Sequence, residues 1–311
     1  MEPEESVRTL SVNGLRYGYR VLPQPAPRTE PVVIIGGALQ GMFGWPQMDT
    51  HVGAVADVVT ADLPGMGTAD PLPPGPGAEV LRAALTGIID DLGVPKVNLF
   101  GYSYGTSIAL SCARHSPGRV ARLILGGVPC HIDDRQRAHW RRAEQCLREG
   151  DPEGAAALAA EGLMCLDPDR PVHRRELALR YVRRSFLHAL AGSRHAADSV
   201  LRVLGDPPDF SGGLSGVPAL VFAGEHDTVS TPAQQREFAA TIDGSRFLTI
   251  GESDHWVVLE RPDDVADLVA RFATDRPLGN ALAQAVLPRQ GAVSAERSLA
   301  GRGGGLPASR R

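Results

Sequence analysis

Hydrophobic residues along the chain fall into short continuous runs separated by stretches with helical spacing. The runs at 32–35 and 120–126 are mostly apolar, which is typical of strands buried on both faces of a parallel sheet. Apolar residues from Val80 to Leu92 recur every three or four positions and predict an amphipathic helix that Gly93 ends. Further strands are predicted at 57–63, 97–100, 219–223 and 247–250. This alternation predicts an α/β fold, a mostly parallel sheet with helices on both faces.

The alternation is interrupted once and stops before the C-terminus. Residues 128–215 contain helical stretches but no convincing strand, so we expect a helical cap inserted into a core domain made of residues 1–127 and 216–273. Near the start of the core, Asn13-Gly14 lies between two strand-like runs and predicts a β-hairpin. Residues 274–311 are rich in glycine, alanine, serine and arginine, and we expect them to form a disordered tail.

Composition and charge restrict the partners that the protein can bind. The 311 residues are 43% hydrophobic, carry a formal net charge of −4 and have a pI near 6.1, which argues against nucleic-acid binding through bulk electrostatics. No apolar stretch approaches the roughly 20 residues of a membrane-spanning helix. The first residues are acidic, unlike those of a secretory signal, so the expected location is the cytoplasm. The cysteines match no metal-ligand spacing, and no disulfide, metal or cofactor is expected.

The first chemical motif is Gly101-Tyr102-Ser103-Tyr104-Gly105, a Gly-x-Ser-x-Gly sequence. It directly follows a predicted buried strand and precedes a predicted helix, which is the context of a sharp turn that exposes a serine hydroxyl above the sheet. The two glycines allow the strand and the helix to approach each other, and the helix N-terminus favours developing negative charge. An ordinary strand-to-helix turn with a serine N-cap is the alternative. In this context we predict that Ser103 is a nucleophile.

A serine nucleophile needs a base, and the base needs an acid that orients it. Of the nine histidines, His255 is the best candidate because it follows the last predicted strand of the core domain, which places it on the same face as Ser103. Asp227 follows the preceding strand and is the predicted acid, since one helix and one strand fit between it and His255. The alternatives follow the strand before the cap: His131 as the base, and Asp133 or Asp134 as the acid.

The order Ser103, Asp227, His255 is that of one of the known convergent triads. A second motif, Asp62-Leu63-Pro64-Gly65-Met66-Gly67, is similar to an Asp-x-Pro-Gly-His-Gly loop. Together these features make residues 7–273 resemble an α/β-hydrolase with a helical cap. The chain departs from this family in two places. Gly36-Gly37 stands where many members have His-Gly, and Met66 replaces the loop histidine. Gly36 does not remove the oxyanion hole, because that hole uses backbone N–H donors. Met66 is expected to alter packing rather than chemistry.

The resemblance implies further site residues. The backbone amides of Ala38 and Tyr104 would form the oxyanion hole, and losing one such donor typically lowers the rate about 10²–10³-fold. Four residues adjacent in sequence to the predicted site residues are expected to contact the substrate: Gly37, Leu39, Tyr102 and Trp256. These motifs are specific to the superfamily and carry almost no information about which substrate is bound.

The cap is expected to select the substrate. Residues 128–215 contain as many acidic residues as arginines, which favours a solvated, salt-bridged surface. The alternative is a basic rim that docks an acyl carrier protein or a coenzyme A thioester. The apolar residues of the cap either fill its own core or roof a pocket. They are Leu163, Met164, Leu177, Tyr181, Phe186, Leu187 and Leu190.

Three functions are compatible with these features. The first, which we predict, is a serine hydrolase that cleaves an ester, thioester or lactone of a small to medium apolar acyl group. The second is an acyltransferase with the same covalent intermediate, and a weak likeness to the synthase that joins two hydroxyacyl chains for rhamnolipid also indicates it. The third is a non-catalytic binder or a cofactor-free lyase that uses the pocket alone, because fold does not determine function.

Overall fold

The computed structural model describes residues 4–38, 40–73, 77–192, 209–278 and 283–286, with 189–192 and 283–286 in backbone only. Its strands are β1 (Ser6–Val12), β2 (Leu15–Leu22), β3 (Val32–Ile35), β4 (Val58–Asp62), β5 (Val97–Tyr102), β6 (Val120–Gly126), β7 (Ala219–Gly224), β8 (Arg246–Ile250) and β9 (Ala283–Val286). Within the described residues they form one sheet in the order β1-β2-β4-β3-β5-β6-β7-β8-β9.

The sheet is parallel in its centre and antiparallel at both edges. Strands β3 to β8 are parallel, as expected for buried apolar runs that helices connect. At one edge, β1 and β2 form the predicted antiparallel hairpin. Its turn places Asn13 and Gly14 at positive φ, 50° and 79°, the conformation that a two-residue hairpin turn requires. The predicted α/β fold is therefore confirmed.

Helices cover both faces of the sheet. They are α1 (Pro46–His51), α2 (Gly77–Asp91), α3 (Tyr104–His115), α4 (Asp134–Arg148), α5 (Pro152–Glu161), α6 (Arg175–Gly192), α7 (Pro232–Ala239), α8 (Val257–Glu260) and α9 (Pro262–Ala273). On one face, α2, α3 and α7 pack their apolar side chains against the strands. On the other face, α1, α8 and α9 do so. Each face thus has its own hydrophobic core, and the carboxyl ends of the parallel strands are left for the loops.

Helices α4, α5 and α6 lie between β6 and β7, inside the segment predicted to be a cap. They build a separate apolar cluster that includes Trp140, Met164 and Phe186, so these residues fill the cap. Leu177 and Tyr181 are instead exposed, at 55% and 44%. The limits of the cap stay a prediction, because residues 193–208 lie outside the described parts of the chain.

The expectation of a disordered tail over 274–311 is wrong for the part that is described. Leu278 is buried in the core that α9 helps to form. Strand β9 pairs antiparallel with β8. Without β9, the β8 edge would present unpaired backbone N–H and C=O groups, and pairing satisfies them. The other tail residues lie outside the described ranges. None of the helices in those ranges has the length and apolar character needed to span a bilayer.

Candidate active site

Ser103 occupies a strained turn between β5 and α3. Its backbone has φ 47° and ψ −116°, a conformation that is unfavourable for a residue with a side chain. The turn is held because the N–H of Ser103 donates to the Gly126 carbonyl at 2.8 Å and the Ser103 carbonyl accepts from Thr106 N–H at 2.9 Å. A side chain at Gly105 would collide with the carbonyl oxygens of β3 and Gly36, so only glycine fits there. The serine is thereby fixed at the carboxyl edge of the central strands.

The three residues predicted to form a triad are hydrogen-bonded to each other. Ser103 Oγ lies 2.9 Å from His255 Nε2, and His255 Nδ1 lies 3.1 Å from Asp227 Oδ2. His255 follows β8 and Asp227 follows β7, so the parallel strands bring both loops to the Ser103 edge. The side chains of His255 and Asp227 are 3% and 0% exposed. This arrangement can move a proton from the hydroxyl to the imidazole.

Two opposing effects act on the imidazole of His255. Burial by itself would lower its pKa, because a buried cation loses its hydration. The charge and the hydrogen bond of Asp227, with the charge of Asp254, outweigh burial and raise the pKa of His255 above its ordinary value. The neutral form that can accept a proton therefore becomes predominant at a higher pH than it would for an ordinary histidine.

The carboxylate of Asp227 is held from several sides. Its Oδ1 accepts from the backbone N–H groups of Val229 at 2.9 Å and Ser230 at 3.3 Å. Its Oδ2, which also faces His255, accepts from Gln235 Nε2 at 2.8 Å. The sequence analysis did not identify Gln235, since a glutamine one turn into a helix carries no signal of burial until the packing of that helix is known.

Tyr102 lines the cavity, so its predicted contact with the substrate stays a prediction, and it also holds the loop of His255. Its ring lines the cavity above Ser103, but its hydroxyl donates to the backbone carbonyl of His255. The residue is fully buried, and burial, with the charges of nearby carboxylates, raises the pKa of its hydroxyl well above the ordinary value. The hydroxyl is therefore a positioning group for the loop that carries His255.

A pair of buried acids lies beside His255. Asp254 and Glu260 are both 0% exposed, and Glu260 Oε2 accepts from the backbone N–H of Asp254 at 2.7 Å. The carboxylate of Asp254 accepts from Trp256 N–H at 2.8 Å and, across the boundary to the cap, from Cys165 N–H at 2.7 Å. Burial and the adjacent Asp254 raise the pKa of Glu260 to about 10. Glu260 is therefore protonated at neutral pH. The bond from Cys165 ties the loop of His255 directly to the segment predicted to be the cap.

The loop after β3 carries the predicted oxyanion donor Ala38. The backbone N–H of Gly37 donates to Gln40 Oε1 at 2.9 Å, and Gln40 N–H donates back to the Gly37 carbonyl at 3.1 Å. Asp62, from the second motif, accepts from Met42 N–H at 2.9 Å and so fixes the far end of the loop. Ala38 and Tyr104 both line the same cavity as Ser103. Leu39, which was expected to contact the substrate, lies outside the described residues.

An apolar cavity opens above Ser103. The space between protein atoms there is about 690 Å³, a volume that includes open solvent at the mouth. The core domain contributes Gly37, Ala38, Tyr102, Ser103, Tyr104, Val229, His255 and Trp256 to its wall, and the cap segment contributes Pro129, Ile132, Gln136, Trp140, Gly162 and Leu163. Trp256 is 4% exposed, and its buried Nε1 has no hydrogen-bond partner among the described residues.

The alternative base and acid residues have other partners. The carboxylate of Asp133 is the N-cap of α4, where it accepts from Gln136 N–H at 2.7 Å, and Asp134 is exposed in the first turn. The backbone of His131 is bonded to the hydroxyl of Ser230. Across the described ranges, no group of three His, Cys, Asp or Glu side chains is arranged to hold a metal ion.

Comparison with known sequences identifies relatives of one kind. Residues 30–262 match the sequence model of a family described as having the alpha/beta hydrolase fold. A 2-hydroxy-6-oxononadienedioate/2-hydroxy-6-oxononatrienedioate hydrolase from Dechloromonas aromatica is 36% identical over 103 residues, which make up 32% of this chain and 36% of that enzyme. The chain thus matches only about a third of the length of this relative.

Solved structures share the whole architecture. A thermophilic esterase from Thermogutta terrifontis superposes with a TM-score of 0.69 at 21% identity, over 88% of this chain and 99% of the esterase. An enol-lactonase from Burkholderia xenovorans superposes with a TM-score of 0.64 at 25% identity, over 86% of this chain and all of the lactonase. Both likenesses support the shared fold.

Proposed function

The chain belongs to the α/β-hydrolase family, and from this premise we propose that it is a serine hydrolase that cleaves an ester, thioester or lactone of a small to medium apolar acyl group. The observation that carries the proposal is the hydrogen-bonded series Ser103, His255 and Asp227 at the floor of an apolar cavity. The enol-lactonase of similar structure supports the choice of an acyl–oxygen bond.

The proposed reaction proceeds through an acyl-enzyme. His255 Nε2 takes the proton of Ser103 as Oγ attacks the carbonyl carbon, and the oxygen that becomes negative is stabilised by the amides of Ala38 and Tyr104. His255 then gives the proton to the departing alcohol or thiol. Asp227 keeps the imidazole in the required tautomer and stabilises its cationic form. Water, activated by His255 in turn, releases the acid and restores Ser103.

The cavity wall supports an uncharged acyl group. Among its described lining residues there is no arginine or lysine that could pair with a carboxylate. The named substrate of the Dechloromonas aromatica relative is a dioate and carries two carboxylates, so we propose a different, less polar substrate here. Gly37, Tyr102 and Trp256, which line the cavity, are the proposed substrate contacts.

Among the described residues of the predicted cap, no contact gives the acyltransferase alternative specific support. Several cap arginines pair with neighbouring acids, as Arg148 does with Glu144 and Arg183 with Glu153. Such pairs are typical of a solvated surface rather than of a rim built for a carrier-bound thioester. We therefore prefer water as the acyl acceptor, and we keep the location in the cytoplasm as a prediction.

The test is covalent labelling with a fluorophosphonate, followed by turnover assays. The wild type should be labelled and Ser103→Ala should not, whereas Ser107→Ala, the matched change one turn along α3, should be labelled as fast as the wild type. Folded wild-type protein that takes up no probe would contradict the covalent mechanism. Acyl thioesters and esters are then supplied with and without a hydroxyacyl acceptor. A product that forms only with the acceptor would replace the hydrolase proposal by the acyltransferase.

A further inference from the structure

Gln235 lies in the first turn of α7, is 0% exposed and contacts the acid of the site. Its Nε2 donates to Asp227 Oδ2 at 2.8 Å and to the Ser230 carbonyl at 2.7 Å. Its Oε1 accepts from the backbone N–H of Val128 at 2.8 Å. We propose that Gln235 is a positioning residue that fixes the carboxylate of Asp227 and limits how strongly this carboxylate stabilises the protonated ring of His255. This inference rests on the proposed hydrolase function.

The three partners determine which way the amide of Gln235 faces. Val128 N–H can only donate, and the Ser230 carbonyl can only accept, so the oxygen must face Val128 and the nitrogen must face Ser230. The flipped amide would place oxygen against a carbonyl and a carboxylate, and would leave a buried N–H without an acceptor. Asp227 therefore always meets an N–H donor from Gln235.

This donor changes what Asp227 can do. The Oδ1 atom is held by two backbone N–H groups of its own loop, so without Gln235 the Oδ2 atom would face His255 alone. With Gln235 present, Oδ2 is shared between an amide N–H at 2.8 Å and the imidazole N–H at 3.1 Å. The bond from Gln235 keeps the carboxylate turned toward the ring. It also weakens the electrostatic stabilisation that Oδ2 gives to the imidazolium, compared with an oxygen that bonds the ring alone.

A substitution of Gln235 changes none of the titratable groups around His255, so a shift in the pH dependence of labelling can be assigned to Gln235. The titratable groups that face the imidazole or its carboxylate are Asp227, Asp254, Glu260, Tyr102 and Cys130. They come from β5, from the loops after β6, β7 and β8, and from α8. Of the groups that bond Asp227 Oδ2, Gln235 is the neutral one that a substitution can remove without adding a charge.

The central test replaces Gln235 by methionine, which has similar length and no donor. In Gln235→Met, we expect the rate of fluorophosphonate labelling and kcat to fall about tenfold, because an interaction with a charged group is lost, while KM stays within about twofold. The acid limb of the labelling rate should move to higher pH by a few tenths of a pH unit, because an unshared Oδ2 stabilises imidazolium better. If Gln235 only stabilised the helix, the folded variant would keep the wild-type kcat and the wild-type position of the acid limb of the labelling rate.

A second variant tests rescue. In Gln235→Glu, burial beside Asp227 keeps the new carboxyl protonated at neutral pH. One of its oxygens then accepts from Val128 N–H, and its O–H donates to Asp227. We expect its labelling rate at neutral pH to lie closer to the wild type than to Gln235→Met. At alkaline pH the new carboxyl ionises beside Asp227, and the rate should fall along a limb that neither the wild type nor the methionine variant shows.

The control is Gln234→Met, which makes the same change at the adjacent, half-buried position of α7. It removes a helix cap but no contact with Asp227, so the unfolding temperature should fall while the acid limb stays at the wild-type position. The inference is overturned if folded Gln235→Met has wild-type kcat and acid limb, or if the glutamate and methionine variants behave alike. A wild type that takes up no probe would instead overturn the proposed function.

Discussion

At the scale of single residues, the site depends on a few buried polar atoms that each have a defined partner. Asp227 is the most constrained, since both of its oxygens are occupied and its side chain is 0% exposed. Its negative charge compensates the imidazolium that forms when His255 takes a proton. Without that charge, a buried cation would have to form in an environment that disfavours it.

Asp227→Asn tests this role. We expect kcat to fall about 10³–10⁴-fold with an unchanged far-UV circular dichroism spectrum, because asparagine presents an N–H to the ring and favours the wrong tautomer. Asp133→Asn is the matched control, since asparagine is also a good N-cap and α4 should be unaffected. Near-normal turnover of Asp227→Asn, with loss of turnover in Asp133→Asn, would move the acid role to the cap segment.

The buried pair Asp254 and Glu260 predicts a pH dependence of stability. The pKa of Glu260 is raised to about 10 in the folded protein, mainly by burial and by Asp254, whereas in the unfolded chain it is ordinary. The folded state therefore binds one more proton than the unfolded state between about pH 5 and pH 10, and stability falls as pH rises through this window. Asp227, His255, Tyr102 and Cys165 are the titratable groups packed around the pair.

Glu260→Gln should remove this pH dependence, because glutamine keeps an acceptor for Asp254 N–H and cannot ionise. The unfolding temperature of the variant minus that of the wild type is expected to grow as pH is raised from about 5 to about 10. Glu252→Gln, an exposed acid in the same loop, should show no such trend. A difference that is constant over the whole range would contradict the assignment.

At the scale of elements, α7 deserves its own test because it supplies Gln235. The helix begins with a capping box in which Thr231 accepts from Gln234 N–H and the Gln234 side chain accepts from Thr231 N–H. Thr231→Ala should lower the free energy of unfolding by about 1 kcal/mol, measured by urea denaturation. Thr231→Ser keeps the cap and should unfold near the wild-type midpoint. Equal midpoints for the two variants would show that the cap contributes nothing.

Strands and motifs near strand ends could be predicted from the sequence, while contacts between distant elements could not. The run at 32–35 is a continuously buried strand, and the run at 120–126 is buried except at Ala121 and Arg122, as expected for apolar runs in the centre of a parallel sheet. The positions of Ser103, Asp227 and His255 could be inferred because each follows such a strand. The role of Gln235 could not, since its partners lie in the loops after β6 and β7, which are brought to α7 only by the complete fold.

The same limit explains the acids beside His255 and the ninth strand. Asp254 is buried because an amide of the cap and an amide of its own turn both point at it, and neither is visible in the sequence. The sequence Ala-Gln-Ala-Val of β9 has weak strand propensity by itself, and it is a strand because β8 offers an unpaired edge. Long-range pairing of this kind overrides local preference.

At the scale of the whole molecule, β9 protects the edge of the sheet. A chain that ends after Leu278 lacks this strand and exposes the backbone groups of β8, whereas a chain that ends after residue 290 keeps it. We expect the shorter chain to associate with itself over hours, measured by light scattering, and the longer chain to stay monodisperse. Hydrolysis by freshly purified short chain should stay within about twofold of the full chain, because no residue of the site lies in the removed part. Equal scattering by both chains would contradict the protective role.

The hydrogen bond from Cys165 N–H to Asp254, and the packing of Trp256 into the apolar cluster of the cap, have a consequence for redesign. A chimera that receives its lid from another member of the family would inherit a new specificity pocket but would lose both attachments. The donor lid should therefore be chosen so that one of its backbone N–H groups can bond the carboxylate of Asp254 and its apolar residues can pack around the ring of Trp256. A chimera whose lid lacks these two features would change substrate selectivity and would also leave the loop that carries His255 without its attachments.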